Sequence, residues 1–474
     1  FAQLTVAGSY YDRETVYQHD TQTYSAYFMY TLGYYAGYAT YQFGTDPVGA
    51  LINDQINESD TLEVRLSHTG DKYSWTAGVF YMDSYENWDF TSFVDGYANG
   101  PAFATWSGYA AYYDITIAPT DTWWHSNQTT TREDKAVFGE IDIKVSDRLS
   151  LLLGGRYYEV DRYISYFVEK PTGYPNNFTP DRTAVDDGFI PKVGLQYDLS
   201  DNVMVWGVYS EGYRVGGTNR ARGTPTLPVE YGQDIIENKE IGLKSSWAEN
   251  TIQFNATYYE MGWSDMQLEL TDPAFGIGEP WQAVVANLGD GTVRGMDIDL
   301  TALVGDIQFG FNMTKVFDAY VESQYWNSAT GQTEYPDSRF EGGVAVIGLG
   351  QKASLPLFGD IAYSLYTEYV GPINLFGDDT QGFARLQHSY NGESLNQLSD
   401  SGNAPRFTQG DYRVTDLIMG FDVGDWKAQL SLNNITDERG ISFRDSSDFD
   451  PYYGRYSDSV IRPKNYSLSL RRYF

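Results

Sequence analysis

The segment Val137-Phe138-Gly139-Glu140-Ile141-Asp142-Ile143-Lys144-Val145, followed by the turn residues Ser146-Asp147, decides the fold. Its apolar and polar side chains alternate with a period of two, which is the period of a β-strand that has one apolar face. The same alternation recurs along most of the chain, and helical periodicity is almost absent. Further examples are residues 62–66, 252–258, 307–313 and 426–432. The sequence therefore predicts an all-β protein.

The types of polar residue in these strands distinguish a transmembrane barrel from a soluble β-sandwich. They are mostly Asn, Gln, Ser, Thr and charges of both signs, whereas the outer surface of a soluble sandwich is usually richer in Lys and Glu. A strand with one apolar face and one face of this kind is typical of a transmembrane barrel with lipid outside and water inside. The chain has no run of about 18 apolar residues, which excludes a helical membrane protein.

The connections between the strands alternate in length, which is typical of outer-membrane barrels with short periplasmic turns and long extracellular loops. A count of the segments predicts about sixteen antiparallel strands. The predicted short turns are Thr69-Gly70-Asp71, Val145-Ser146-Asp147, Leu199-Ser200-Asp201, Trp247-Ala248-Glu249-Asn250, Val304-Gly305-Asp306, Phe358-Gly359-Asp360 and Val423-Gly424-Asp425. The predicted long loops are residues 18–58, 84–132, 164–187, 215–235, 264–285, 319–339, 371–410 and 437–462.

Composition excludes several classes of function. The net charge of −32 argues against nucleic-acid binding, which needs clustered positive charge. The chain has no cysteine, which excludes disulfides, thiolate metal sites and cysteine nucleophiles. Phosphate-binding loops, nucleophile elbows and metal-ligand spacings are also absent from the sequence. We therefore expect neither an enzyme nor a bound cofactor or metal.

The end of the sequence carries a further membrane signal. Residues 466–474 alternate and end in Phe474, and a terminal aromatic residue on the lipid face is typical of bacterial outer-membrane proteins, in which it serves as an assembly signal. Arg472 departs from this pattern, because an aromatic or apolar residue is expected there. Near the membrane interface an arginine can extend its charged group towards water.

Several segments, taken in order, resemble the barrel domain of TonB-dependent outer-membrane receptors. Glu211-Gly212-Tyr213-Arg214-Val215-Gly216-Gly217-Thr218-Asn219 is similar to the Tyr/Phe-Arg-x-Gly-Gly-x-Asn element of that family. Residues 135–157 resemble its mid-barrel hairpin, and residues 237–244 resemble its Glu-x-Gly-x-Lys strand. Two further matches are residues 287–297, with Asp297 where Glu is commoner, and residues 433–437.

This resemblance implies a transporter that takes up a scarce nutrient, such as a siderophore, a glycan or another small ligand, across the bacterial outer membrane into the periplasm. Receptors of this family carry a TonB-contacting box, a plug and a barrel of about 22 strands. The resemblance covers about residues 60–474 and concerns only the barrel. We therefore interpret residues 1–474 as the last three-quarters of such a barrel and expect the plug and the first strands to be absent from this chain. The implied partners are the inner-membrane TonB complex, acting through the plug, and the lipid and lipopolysaccharide around a monomeric barrel.

Two other functions fit the same strand pattern. Sixteen strands could close by themselves into a passive porin, in which the first strand would pair with the last. A structural or adhesive surface barrel would instead use its loops to contact partners.

Candidate substrate-binding residues lie in or beside the long loops. Aromatic rings there could stack on sugars, aromatic compounds or chelate ligands, and clustered arginines could face an anionic substrate. The alternative is that the rings form the outer aromatic girdle and that the arginines pair with carboxylates of the lumen. The predicted set is Arg214, Arg220, Arg222, Trp123, Trp124, Trp263, Tyr452 and Tyr453.

Overall fold

The structure is a computed structural model of the 474-residue chain. The part of the chain that it describes consists of residues 2–20, 49–99, 101–112, 118–169, 177–219, 229–271, 283–323, 325–327, 332–334, 352–375, 380–396, 407–445 and 457–474. No helix within these ranges is long and apolar enough to cross a membrane.

One large antiparallel sheet contains most of the described residues, which confirms the all-β prediction. It has 17 strands, of which the strand Lys352–Ser354 is short and the other sixteen are long. The long strands are β1 Gln3–Asp20, β2 Gly49–His68, β3 Tyr73–Val94, β4 Thr122–Ser146, β5 Leu149–Glu169, β6 Asn177–Ser200, β7 Val203–Arg214, β8 Asp234–Trp247, β9 Ile252–Thr271, β10 Ala283–Val304, β11 Ile307–Ser323, β12 Ile361–Pro372, β13 Gln381–Asn391, β14 Tyr412–Val423, β15 Trp426–Asn433 and β16 Asn465–Arg472.

Each long strand pairs with its neighbours in chain order, from β1 with β2 through to β15 with β16. Within the described residues, β1 pairs only with β2, and β16 pairs only with β15. The pairing that a self-closed sixteen-stranded pore requires is therefore not found there.

The two ends of the sheet differ, as the sequence predicts. Six of the seven predicted short turns join consecutive strands at one end, which we call the short-turn end. Gly305 and Gly424 occupy such turns with φ of 61° and 53°, in the left-handed region that glycine adopts without steric penalty. The opposite end, which we call the long-loop end, carries the longer connections.

The seventh predicted turn is wrong. Phe358-Gly359-Asp360 lies at the long-loop end, directly before β12, and the connection at the short-turn end is residues 373–380. The sequence placed residues 371–410 in one loop, but they include β13. That strand is polar at most of its positions, so its weak alternation did not stand out.

Several strands also extend into the segments predicted as loops. Residues 84–132 were expected to be a loop, but β3 continues to Val94 and β4 begins at Thr122. Polar side chains join the strands there, because Asn87 Nδ2 donates to Asn127 Oδ1 at 3.2 Å and to Thr129 Oγ1 at 2.9 Å. A strand that has left the lipid needs no apolar face, so the alternation used for the prediction disappears.

The remainder of that loop contains a helix, α1 Pro101–Tyr112, that the sequence analysis missed. Its residues are mostly apolar or aromatic with no amphipathic period, which hides a helix from pattern analysis. Pro101 stands at the first helical position, where proline is favoured because its missing N–H has no partner to lose.

The apolar side chains of the strands point outward. Val137 is 60% exposed and Leu195 is 51% exposed, although both lie within long strands. Exposure alternates residue by residue along β6 between residues 181 and 189. We call the face that carries these side chains the outer face and the opposite one the inner face. An apolar outer face confirms the predicted barrel wall with hydrocarbon outside.

The inner face is polar at the short-turn end. A cavity of about 530 Å³ there is lined by side chains that include Asp198, Lys244, Gln253 and Asn255. The buried apolar clusters of the described residues are small, and the two that form contiguous groups lie towards the long-loop end on the inner face. They are Ala136, Tyr158, Val160 and Val215 in one group and Val293, Val321 and Leu355 in the other.

Neighbouring substitutions on β6 should therefore differ sharply in their effect on stability. Leu195→Arg places a charge on the outer face and should destabilise the barrel by about 2–4 kcal/mol if it lies near the bilayer midplane. Gln196→Arg, on the inner face, should have an effect close to zero because its charge stays in water. Urea unfolding in lipid vesicles measures both, and equal losses would contradict the assignment of the faces.

Candidate substrate-binding site at the long-loop end

An ion pair between neighbouring strands forms the centre of the candidate site. Arg214, at the end of β7, lies opposite Asp234, the first residue of β8. Arg214 Nη2 and Nε donate to Asp234 Oδ2 at 2.5 and 3.1 Å. The Asp234 side chain is 1% exposed, whereas that of Arg214 is 50% exposed. The buried carboxylate therefore fixes a guanidinium group whose other side remains open to solvent.

The indole ring of Trp263 packs beside this ion pair. Arg214 Cζ lies 5.3 Å from the ring centroid, which is within the range of a cation–π contact. Trp263 belongs to β9 and lies opposite Ile236 of β8. Its Nε1 atom is buried without a hydrogen-bond partner in the described residues. The strand register thus brings together an arginine and an aromatic ring that are 49 positions apart in the sequence.

A β-bulge shapes the strand that carries the ring. The register of β9 against β10 shifts between Trp263 and Met266, and Asp265 adopts a φ of 54°. The backbone N–H of Gln267 donates to Asp234 Oδ2 at 3.1 Å, and Gln267 Nε2 donates to the carbonyl oxygen of Val215 at 2.9 Å. A bulge of this kind redirects the side chains beside it. Here it also supplies Asp234 with a further donor.

Two asparagines attach the chain beyond β7 to β10. Asn219 is 8% exposed and exchanges two hydrogen bonds of 2.7 Å with the backbone of Val285. Asn287 Oδ1 accepts a hydrogen bond of 2.7 Å from the N–H of Gly232, and its Nδ2 donates to the carbonyl oxygen of Asp265 at 2.8 Å. Asn219 belongs to residues 211–219 and Asn287 to residues 287–297, so each of these two segments with the family resemblance contributes a side chain that joins neighbouring parts of the site.

The net charge of the groups around Arg214 is close to zero or negative. Desolvation, and then the nearby carboxylates of Asp290 and Asp234, raise the pKa of Asp265 above its ordinary value. Asp290 Oδ1 also accepts the backbone N–H of Asp265 at 3.1 Å. Three carboxylates lie near a single guanidinium group, so the site at Arg214 has no net positive charge to offer a ligand. What it offers is the aromatic surface of Trp263.

His125 forms a separate polar contact near the long-loop end, between β3, β4 and β5. Its Nε2 lies 3.1 Å from Asp89 and its Nδ1 lies 3.2 Å from Glu169. Partial burial opposes the charged ring, but the hydrogen bonds to Glu169 and Asp89 outweigh it and raise the pKa of His125. The imidazole of His125 therefore links three strands through its two ring nitrogens.

Two of the eight predicted binding residues are brought together, namely Arg214 and Trp263. Trp124 is half-buried on β4, opposite Ser92 of β3, and lies three strands away from Arg214. The backbone of Trp123 belongs to the same strand as Trp124. Arg220, Arg222, Tyr452 and Tyr453 lie outside the described residues. The sequence analysis missed Asp234, Gln267 and Asn219, whose roles depend on which strands pair.

The end of the chain explains why Arg472 is tolerated in the last strand. Its guanidinium carbon lies 5.3 Å from the ring centroid of Trp426 and 4.9 Å from that of Phe474. Phe474 is fully exposed, and Leu468 is 78% exposed on the same strand end. Arg472 thus stacks between two aromatic rings while its charge can reach water, as expected for an arginine near a membrane interface.

These features define a large antiparallel barrel wall with an apolar exterior and a cluster of polar and aromatic groups at one end. The model of the family "TonB dependent receptor-like, beta-barrel" matches residues 2–435. The chain belongs to this family of TonB-dependent receptors, whose members are receptors of the Gram-negative outer membrane rather than enzymes.

Solved receptor structures share the fold at low sequence identity. The ferric yersiniabactin uptake receptor FyuA from Yersinia pestis is 16% identical with a TM-score of 0.65, over 90% of this chain and 56% of that one. The siderophore receptor PiuA from Acinetobacter baumannii is 14% identical with a TM-score of 0.61, over 99% and 61%. BauA, the ferric preacinetobactin receptor from Acinetobacter baumannii, is 13% identical with a TM-score of 0.56, over 99% and 60%. The chain thus spans little more than half the length of these structures.

Removing the charge of Asp234 should test how the site is held together. Asp234→Asn leaves Arg214 and the N–H of Gln267 with a weaker acceptor, and it should destabilise the protein by about 1–3 kcal/mol. Asp290→Asn is the matched control, because Asp290 accepts the backbone N–H of Asp265 and lies outside the ion pair, and it should cost less than about 1 kcal/mol. Guanidinium unfolding followed by tryptophan fluorescence compares them, and an Asp290 variant that loses as much stability would contradict the role given to Asp234.

Proposed function

We propose that this protein is an outer-membrane transporter that carries a ferric chelate or a similar small ligand from outside the cell into the periplasm, driven by TonB. The observation that carries the proposal is the family match over residues 2–435. The aromatic and arginine groups held at the long-loop end support it, because that is the extracellular end in this class of barrel.

The chain would form the C-terminal part of a barrel of about 22 strands, which also holds a plug with a TonB-contacting box. Two observations support this proposal. The outer edges of β1 and β16 are unpaired within the described residues, and unpaired backbone groups are costly in hydrocarbon. The chain also covers only 56–61% of the solved receptors to which it is similar. The complete barrel would sit as a monomer among lipid and lipopolysaccharide.

Among siderophore, glycan and other small ligands, we favour the ferric chelate. Two of the structures described above are named as receptors for ferric chelates, those of yersiniabactin and preacinetobactin. Trp263 offers a flat surface for the ligand, and Arg214 keeps half of its side chain accessible beside it. Arg220, Arg222, Trp123, Trp124, Tyr452 and Tyr453 are proposed to complete the contact from the loops.

A passive porin and an adhesive barrel are the alternatives, and energy dependence separates them from a transporter. The experiment measures uptake of iron-55 supplied as a panel of siderophore chelates by iron-starved cells that express the full-length protein. We expect uptake of at least one chelate to require both the protein and an intact tonB gene, and to stop with a protonophore. Uptake that persists without TonB would indicate a pore, and no uptake of any chelate would overturn the proposed substrate.

Substitution of the ring in the candidate site refines this test. Trp263→Ala should weaken uptake about 2- to 10-fold, since an aromatic contact contributes about 0.5–1.5 kcal/mol beyond its buried area. Trp247→Ala is the matched control, because Trp247 ends β8 at the opposite, short-turn end of the sheet. Equal effects of the two substitutions would remove Trp263 from the binding site.

A further inference from the structure

Three arginines, Arg132, Arg162 and Arg182, cross the inner face of β4, β5 and β6, and we call them the arginine row. Arg132 and Arg162 are directly opposite each other in the register. Arg182 lies opposite Ile164, which is the next inner-face position after Arg162. Directly opposite residues have Cβ atoms about 4.5–5.5 Å apart, and diagonal neighbours are about 7–8 Å apart. Like charges at this spacing destabilise a sheet.

The direction of these side chains follows from the alternation of exposure. On these three strands the exposed apolar residues occupy odd-numbered positions, for example Val137, Tyr157 and Val185. The three arginines occupy even-numbered positions, so their side chains project from the inner face. The row therefore faces the lumen of the barrel, which is the path a transported ligand would take.

Within the part of the chain that the structure describes, only Arg132 has a partner that neutralises its charge. Arg132 donates to Asp134 through Nε at 2.6 Å and through Nη2 at 2.5 Å. Within the described residues, Arg162 and Arg182 make neither an ion pair nor a side-chain hydrogen bond, and the Nε atom of each is buried without a partner. Buried donors on charged groups are normally satisfied, because an unmet one costs about 1–3 kcal/mol or more.

An inner-face carboxylate in the neighbourhood of Arg162 already accepts a backbone hydrogen bond. Asp186 lies opposite Val160, one inner-face position from the partner of Arg162, and its Oδ2 accepts the N–H of Gly216 at 2.8 Å. Arg162 Nη1 lies against Gly217, where a Cβ atom would come within 3.0 Å of it. The Gly216-Gly217 segment thus packs beside Arg162 and donates a hydrogen bond to Asp186.

The apolar cluster of Ala136, Tyr158, Val160 and Val215 lies next to the row on the same face. Tyr158 and Val160 are 1% and 0% exposed, so water is excluded on that side of the arginines. In such a place the effective dielectric constant falls, and the attraction between a guanidinium group and an anion becomes stronger than at an open surface. The environment of the row therefore favours a bound anion over solvation by water.

We propose that the arginine row binds an oxyanion group, a carboxylate or a phosphate, of the ligand that enters the barrel. Arg162 and Arg182 supply the free donors, and Arg132, whose charge is neutralised by Asp134, lies beside them. The planar guanidinium group matches both oxyanions through paired hydrogen bonds. That the oxyanion belongs to a transported ligand rests on the proposed transport function. Binding of an oxyanion by the arginine row does not depend on that function.

Recognition of a flat ring and recognition of negative charge take place at two different sites, whereas the sequence analysis assigned both to one set of residues. The site at Arg214 has three carboxylates close to one guanidinium group and a large ring, so it recognises a flat surface. The arginine row has two guanidinium groups that are not paired with a carboxylate of the described residues, and it therefore recognises negative charge. A ligand with an aromatic part and an acidic part would engage both.

The test measures anion binding to the full-length receptor in detergent by calorimetry, with citrate and inorganic phosphate as probes in separate titrations at constant ionic strength against chloride. We expect at least one probe to bind, and the tighter one identifies the oxyanion. The variants Arg162→Gln and Arg182→Gln should each bind it about 10- to 100-fold more weakly, as expected for loss of a hydrogen bond to a charged group. Arg65→Gln, on the inner face of β2 and already paired with Glu63 at 3.0 Å, should bind as the wild type does.

Thermal unfolding shows whether a variant binds anion weakly because it has lost a binding group or because it is less stable. Arg162 and Arg182 are like charges without a partner in the described residues. In the absence of anion, their substitution should therefore leave the midpoint temperature of unfolding unchanged or raise it. In the wild type the anion should raise this temperature, and the substitutions should abolish that rise. A wild type that binds neither probe, or variants that bind as the wild type does, would overturn the proposal. Uptake that depends on TonB is measured separately, so a failure of the transport function would be distinguishable.

Discussion

Hydrocarbon provides no hydrogen-bond partners, and this constraint organises the whole molecule. Every backbone N–H and C=O group in the lipid must pair within the protein, and a sheet does this only if each strand has neighbours on both sides. Within the described residues, the fourteen strands from β2 to β15 follow this rule by pairing in chain order, with short turns at one end. The period-two alternation of side chains follows from it as well, since one face of each strand meets lipid and the other meets water. The inner face is then free to carry charge, and both candidate binding places use that freedom.

The sequence predicted the fold where this constraint acts and failed where it does not. Strands in the lipid must alternate, so segments such as residues 137–145 were recognised from their side chains alone. Beyond the lipid, β3 and β4 are held by polar contacts such as that between Asn87 and Asn127, and no periodic pattern marks them. The turn assigned to Phe358-Gly359-Asp360 failed for a related reason, because the polar strand β13 was taken for part of a loop.

The candidate site shows the same division between local and distant information. The sequence placed Arg214 and Trp263 near loops, but only the register of β7, β8 and β9 reveals that Asp234 holds them together. The arginine row was missed because its members are about 20 to 30 positions apart, and each alone resembles an ordinary lumen residue. The register of β4, β5 and β6 places these three distant arginines side by side. Composition and spacing do not reveal which strands pair or in what register.

The most direct test of the account asks which face of a strand meets lipid. The chain has no cysteine, so single cysteines can be introduced at positions 195 to 198 of β6 and spin-labelled without background. In lipid vesicles, the account predicts that labels at Leu195 and Tyr197 collide mainly with dissolved oxygen, which concentrates in hydrocarbon. Labels at Gln196 and Asp198 should collide mainly with a water-soluble nickel chelate. A reversed pattern, or equal accessibility at all four positions, would contradict a barrel wall with lipid outside and water inside.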